Sequence, residues 1–155
     1  MERIVLSLGI ALFIVAAYGD VKTFRIPNLL VAAVTLLAVA RLIVVGDPSA
    51  AVYTVGASVI VLAIGFVLFW QGFVGGGDAK LITAAALLVG YHNLYSFLVL
   101  MCLCGLLVTL AVLATRYLNR SPEPQPKLRL VAIPYGVAIA AGGIVTLLFQ
   151  PSLLG

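Results

Sequence analysis

Of the five acidic residues in this 155-residue chain, two stand where an acid is hardest to explain as solvated surface. Asp20 closes one apolar run and Asp78 opens another, so each lies at the edge of a segment that reads as membrane-embedded. Ionisable groups held at membrane depth are costly and by default mark function, and each aspartate is the other's natural partner. Asp78 follows Gly75, Gly76 and Gly77 and is placed like a helix N-cap, where free amides and the helix dipole favour a carboxylate. Asp20 meets the unfavourable end of the dipole of its own helix, provided that helix ends near it. Two carboxyls in opposed surroundings divide into base and acid. Sharing one proton, they could hydrolyse a peptide bond, one activating water while the other protonates the scissile carbonyl.

The other candidates are weaker. Three consecutive glycines lack Cβ atoms and could offer an extended bed for a substrate peptide, or could simply break one helix before the next. Glu2 and Glu123 fall in a tail and a proline-rich loop, and Asp47, in GDPS, reads as a turn residue backed by Pro48. His92, the sole histidine, sits in a YHN turn and reads as a turn residue, not a base. Cys102 and Cys104 are two apart in MCLCGLL, a spacing that suits no common zinc site, and read as apolar packing.

These groups must be positioned by helices in lipid. Hydrophobic residues make up 64% of the chain and charged ones 9%, with a mean hydropathy of +1.25. Soluble domains carry about 25% charged residues. The composition places the chain in a bilayer and excludes a nucleic-acid module, a disulfide scaffold and a disordered tail. Within hydrocarbon every backbone group must find an internal partner, so each span must be a helix.

Six candidate spans are expected: Ile4 to Tyr18, Leu29 to Val45, Ala51 to Trp70, Ala79 to Tyr91, Leu94 to Thr115 and Val131 to Phe149. A full crossing takes about 20 residues, so the first and fourth fall short, and the fourth could be re-entrant. If all six cross, one face carries Lys22, Arg25, Lys80, Arg116, Arg120, Lys127 and Arg129, against Arg3 and Arg41 on the other. Basic residues gather on the cytoplasmic side, and a fourth segment that failed to cross would invert this bias. The expectation is an all-α polytopic membrane protein of about six transmembrane helices. It forms a single membrane-embedded domain over residues 1–155, with both termini on the non-cytoplasmic side and a proline-rich cytoplasmic loop at 119–129. A signal-peptide reading of the amino terminus conflicts with that charge distribution.

Three segments carry a resemblance: GDVKTFRIPN with Asp20, Ile26, Pro27 and Asn28; GGGDAKL with Gly75, Gly77, Asp78, Lys80 and Leu81; and IPYG with Ile133, Pro134, Tyr135 and Gly136. In type and order they resemble the type IV prepilin peptidases, membrane aspartic proteases of the GxGD kind. The resemblance implies a metal-free, cofactor-free endopeptidase of the bacterial inner membrane. It would cut the basic leader from pilin and pilin-like precursors on the cytoplasmic side, just before their hydrophobic helix. It implies Asp20 and Asp78 as the catalytic pair and Gly75 and Gly77 as motif glycines. Lys80 would either hold Asp78 ionised or snorkel to the interface. Pro27 and Asn28 would start the second helix, and Pro134 and Tyr135 the last.

Longer family members carry paired CxxC motifs associated with methylation of the new amino terminus. This chain has none, so methyltransferase activity is not expected, and its compactness resembles the peptidases of tight-adherence, Flp-type pili. Anionic lipid headgroups are the expected partners of the basic face. A nucleic-acid partner is not expected, and the oligomeric state is left open. The rival readings are a small transporter or proton-pathway subunit, and an inactive homologue that scaffolds pilus assembly.

Overall fold

The computed structural model describes residues 2–23, 26–118 and 135–149, and the described residues form helices joined by tight turns. In chain order they are α1 (Glu2–Thr23), α2 (Asn28–Val45), α3 (Pro48–Trp70), α4 (Gly76–Val89), a 3-10 turn (Tyr91–Asn93), α5 (Leu94–Leu118) and α6 (Tyr135–Phe149). The boundaries follow local chemistry. Pro27 precedes α2 in extended conformation, and its carbonyl accepts the amides of Leu30 and Val31. Gly46, in the left-handed region at φ 68°, ends α2 with its N–H on the Leu42 carbonyl. Asp47 then caps α3, its carboxylate accepting the Ser49 and Ala50 amides at 2.9 and 3.3 Å, with Pro48 in the first helical position. The turn reading of Asp47 is thereby refined to a helix cap.

α1, α2, α3 and the Tyr91–Thr115 stretch are each long and apolar enough to cross a membrane, and α6 is a shorter apolar helix. The chain is an all-helical polytopic membrane protein. The first span does not fall short as expected: α1 has 22 residues. Apolarity stops at Tyr18, but the helix carries on through Gly19 and the mostly polar residues after it to Thr23. The expected start of the last span at Val131 and the 119–129 loop lie outside the described residues.

Successive helices reverse direction, so the end of α1, the start of α2, the end of α3 and the starts of α4 and α6 gather at one end of the bundle. α4 occupies the centre, packed against α2, α3 and α6, while α6 also packs on α1 and α5. The core takes Phe13 and Ala16 from α1, Leu30, Val34 and Ala38 from α2, Phe97 from α5, and Ile139, Ala140 and Leu147 from α6, while the buried residues of α3 are Thr54 and Ser58. α4 is buried on most sides, with Leu81, Ala84, Ala85, Leu88 and Val89 all in the core. It does not turn back on itself: it begins beside the start of α2 and ends beside Arg41 and Thr54 near the opposite ends of α2 and α3. The outer faces are apolar, as in Leu36, Ile60 and Leu107, and such exposure suits lipid contact.

Candidate active site

Asp20 continues the inward stripe of α1, in which Gly9, Phe13, Ala16 and Asp20 recur at helical spacing, so the helix that buries Phe13 also buries the acid. The residue is only 5% exposed. Its Oδ2 accepts the Gly136 amide at 2.7 Å, and the Val137 amide also donates to the carboxyl. Both donors belong to the first turn of α6, where amides have no partner within the helix and the dipole favours an anion. A Cβ on Gly136 would lie 2.8 Å from the Asp20 Cγ and Oδ2, so the bare glycine is what lets the carboxyl dock. α1 runs three residues past Asp20, just under one turn. The expected contrast of dipoles is therefore corrected: Asp20 remains in the last turn of its own helix, but the amino-terminal end of α6 supplies a favourable counterpart.

Asp78 is not itself the N-cap. Gly75 is the cap residue of α4, and Asp78 is the third helical residue. From there its carboxyl turns back to accept the Gly75 amide, the acidic half of a capping box. A Cβ on Gly75 would fall 2.8 Å from the Asp78 Oδ2. The glycine run is not a continuous extended bed, since only Gly75 is extended (φ −68°, ψ 145°) and Gly76 and Gly77 already belong to α4. Their bareness serves packing, because added Cβ atoms would meet the Phe69 ring at 3.2 Å and the Ile26 Cβ at 3.3 Å.

The fold thus brings the two aspartates, on α1 and α4, to the same end of the bundle and close enough for the Asp20 charge to act on Asp78. Each carboxyl is oriented by a backbone amide at a helix start, which leaves oxygen valences for a shared proton and for water. Around them the start of α2 closes in: Ile26 lies against Gly77, and the Lys80 Nζ donates to the Asn28 Oδ1 at 3.4 Å. Asn28 starts α2, as expected, with Pro27 as the cap residue. The Asn28 side chain receives Lys80. Pro27 and Tyr135 are exposed at this end, and Pro134 lies outside the described residues. His92 is exposed at the far end, its ring 3.9 Å from that of Tyr91.

Reading by residue type missed the role of Gly136, which contributes an N–H and the absence of a Cβ. The only signal was its place directly after Pro134 and Tyr135 at the start of an apolar span.

The sequence profile of the type IV leader peptidase family matches residues 7–110. The chain is 32% identical over 148 residues to the prepilin leader peptidase/N-methyltransferase of Bacillus subtilis (strain 168), an alignment covering 94% of this chain and 55% of that protein. It therefore spans about half the length of the curated relative it matches. No solved structure matches it significantly.

Proposed function

The chain belongs to the type IV leader peptidase family, and from that premise we propose that it is an aspartic-type endopeptidase that removes the leader from pilin-like precursors, with Asp20 and Asp78 as the catalytic pair. The observation that carries the proposal is the convergence of these two acids, 116 residues separating Asp20 from the amide that orients it, at one end of a membrane bundle. One carboxylate takes a proton from water as its oxygen attacks the scissile carbonyl, and the other carboxyl gives its proton to the carbonyl oxygen. Collapse of the tetrahedral intermediate returns that proton to the second carboxyl and breaks the C–N bond, as the first carboxyl passes the proton it took from water to the departing amine. The pair acts as one unit holding one proton, because both carboxyls are held by amides.

The substrate class follows the family. A pilin-like precursor presents a short basic leader ahead of an apolar helix, and a site at the rim of a bundle suits a bond at that junction. The basic residues that adjoin the acid end in sequence support a cytoplasmic orientation in the bacterial inner membrane, with anionic headgroups facing them. The proposal concerns hydrolysis alone.

The test is cleavage of a purified pilin precursor by the purified protein in lipid nanodiscs. Wild type should shorten the precursor, while Asp20→Asn and Asp78→Asn, folded and equally abundant, should not. Cleavage by either variant would remove the pair from the mechanism. Charge movement in liposomes without precursor cleavage would favour transport, and binding without shortening would favour a scaffold.

A further inference from the structure

At the opposite end of the bundle a second polar arrangement does no hydrolytic chemistry. α4 has 14 residues, about 21 Å of helix, against about 30 Å of bilayer hydrocarbon. It runs alongside α2, and its end lies beside Arg41, 13 residues into α2 and about one turn short of the α2 terminus. The last carbonyls of α4 therefore emerge beside the body of its neighbours, where an unsatisfied carbonyl costs several kcal/mol in the absence of water.

Protein groups meet that end. Arg41, on the same inward stripe as Leu30, Val34 and Ala38, is 7% exposed and donates from Nη1 to the Leu88 carbonyl at 2.7 Å. Gly90 continues the chain at φ 87°, and a Cβ there would lie 3.0 and 3.3 Å from the two Arg41 terminal nitrogens. Its amide closes on the Ala86 carbonyl, and the Tyr91 amide donates to the buried Thr54 hydroxyl of α3. α2 and α3 thus grip the end of α4 from both sides, and a cation is favourable at a helix carboxyl end. At the other end of the same short helix stands Asp78.

We propose that Arg41 is a positioning residue: by holding the carboxyl end of α4 through the Leu88 carbonyl, it sets the axial position of α4 and hence the placement of Asp78 opposite Asp20. This rests on the peptidase reading for its catalytic consequence but not for its geometric one. α4 is one continuous helix from Gly76 to Val89, so a shift at Leu88 passes along its axis to Asp78, and a misplacement of about 1 Å at reacting groups can cost about 10²-fold in rate.

Two readouts test it. Spin labels on Val21→Cys and Lys80→Cys, in a Cys102→Ala and Cys104→Ala background, report the spacing of the α1 end and the α4 start by pulsed dipolar spectroscopy. Arg41→Met should shift or broaden that distance, and Gly90→Ala, which drives a methyl against the guanidinium, should do the same. Arg41→Lys, which keeps a charge and a donor, should retain most of the wild-type distribution. In unlabelled protein the Met and Ala variants should lose about 10- to 100-fold in kcat with KM within about twofold, and the Lys variant should recover most of the loss. An unchanged distance in folded Arg41→Met and Gly90→Ala overturns the proposal, as does an unchanged kcat where wild type cleaves. Where Arg41→Met does not accumulate, Gly90→Ala and Arg41→Lys decide by the same criteria. If wild type cuts no precursor, the peptidase reading fails, and the distance measurement still decides the positioning role.

Discussion

The contact between the start of α6 and Asp20 makes Gly136→Ala the sharpest single test of the site. The added methyl carbon would stand 2.8 Å from the Asp20 Cγ and Oδ2 and 2.9 Å from its Cβ, where ordinary contact begins near 3.4 Å. The carboxyl must withdraw by the difference, about 0.6 Å, and a 2.7 Å hydrogen bond stretches to about 3.3 Å, beyond the usual range. A hydrogen bond to a charged group contributes about 1.5–3 kcal/mol. At about 1.4 kcal/mol per tenfold change, kcat/KM should fall by about 10- to 100-fold. The fold should survive, because Ala in place of a helical Gly gains about 0.5–1 kcal/mol of stability against the local strain. The assay is initial-rate cleavage of a pilin precursor alongside thermal unfolding of the same preparation. Gly105→Ala is the control, since its Cβ would meet Ala138 at an ordinary 3.5 Å on the neighbouring face of α6. A folded Gly136→Ala protein that cuts within about twofold of wild type would refute the claim that this amide orients a catalytic acid.

Gly75→Ala should likewise suppress cleavage, because its methyl would sit 2.8 Å from the Asp78 Oδ2, while Gly77→Ala, facing the Ile26 Cβ at 3.3 Å, should cost less in the same assay. Gly142→Ala should act on stability: its Cβ would meet the Met101 backbone N and Cα at 2.8 Å, a surface that cannot rotate away, and thermal unfolding should register about 1–3 kcal/mol. The Asp47 carboxyl is held below its ordinary range by the Ser49 hydroxyl and the Ala50 and Ser49 amides. Its contribution is therefore present above the unfolded value of about 3.9 and lost as pH falls through the lower folded value. Asp47→Ala should lower the unfolding temperature at neutral pH, with the difference shrinking on acidification.

What could be read from the sequence was what side-chain type and period encode. The apolar runs gave the helices, and the scarcity of acids singled out Asp20 and Asp78 as partners across 58 residues. The extent of α1 is not legible in hydropathy, because the helix runs on through polar residues to Thr23. The surroundings of Asp20 were misjudged because its decisive neighbour is the start of a helix 116 residues away, and backbone amides have no letter in a sequence. The charge tally places Arg41 on the far face, yet its place three residues after Ala38 on the stripe of Leu30 and Val34 is the spacing of a core position. An arginine at that period inside an apolar helix was a signal that could have been used.

The bond between Asp20 and Gly136 joins α1 to α6. On the ribosome, a nascent chain that has released α1 through α5 already contains both aspartates, but the amide that aims one of them has not yet been synthesised. On the peptidase reading, the site is then complete only once α6 has inserted.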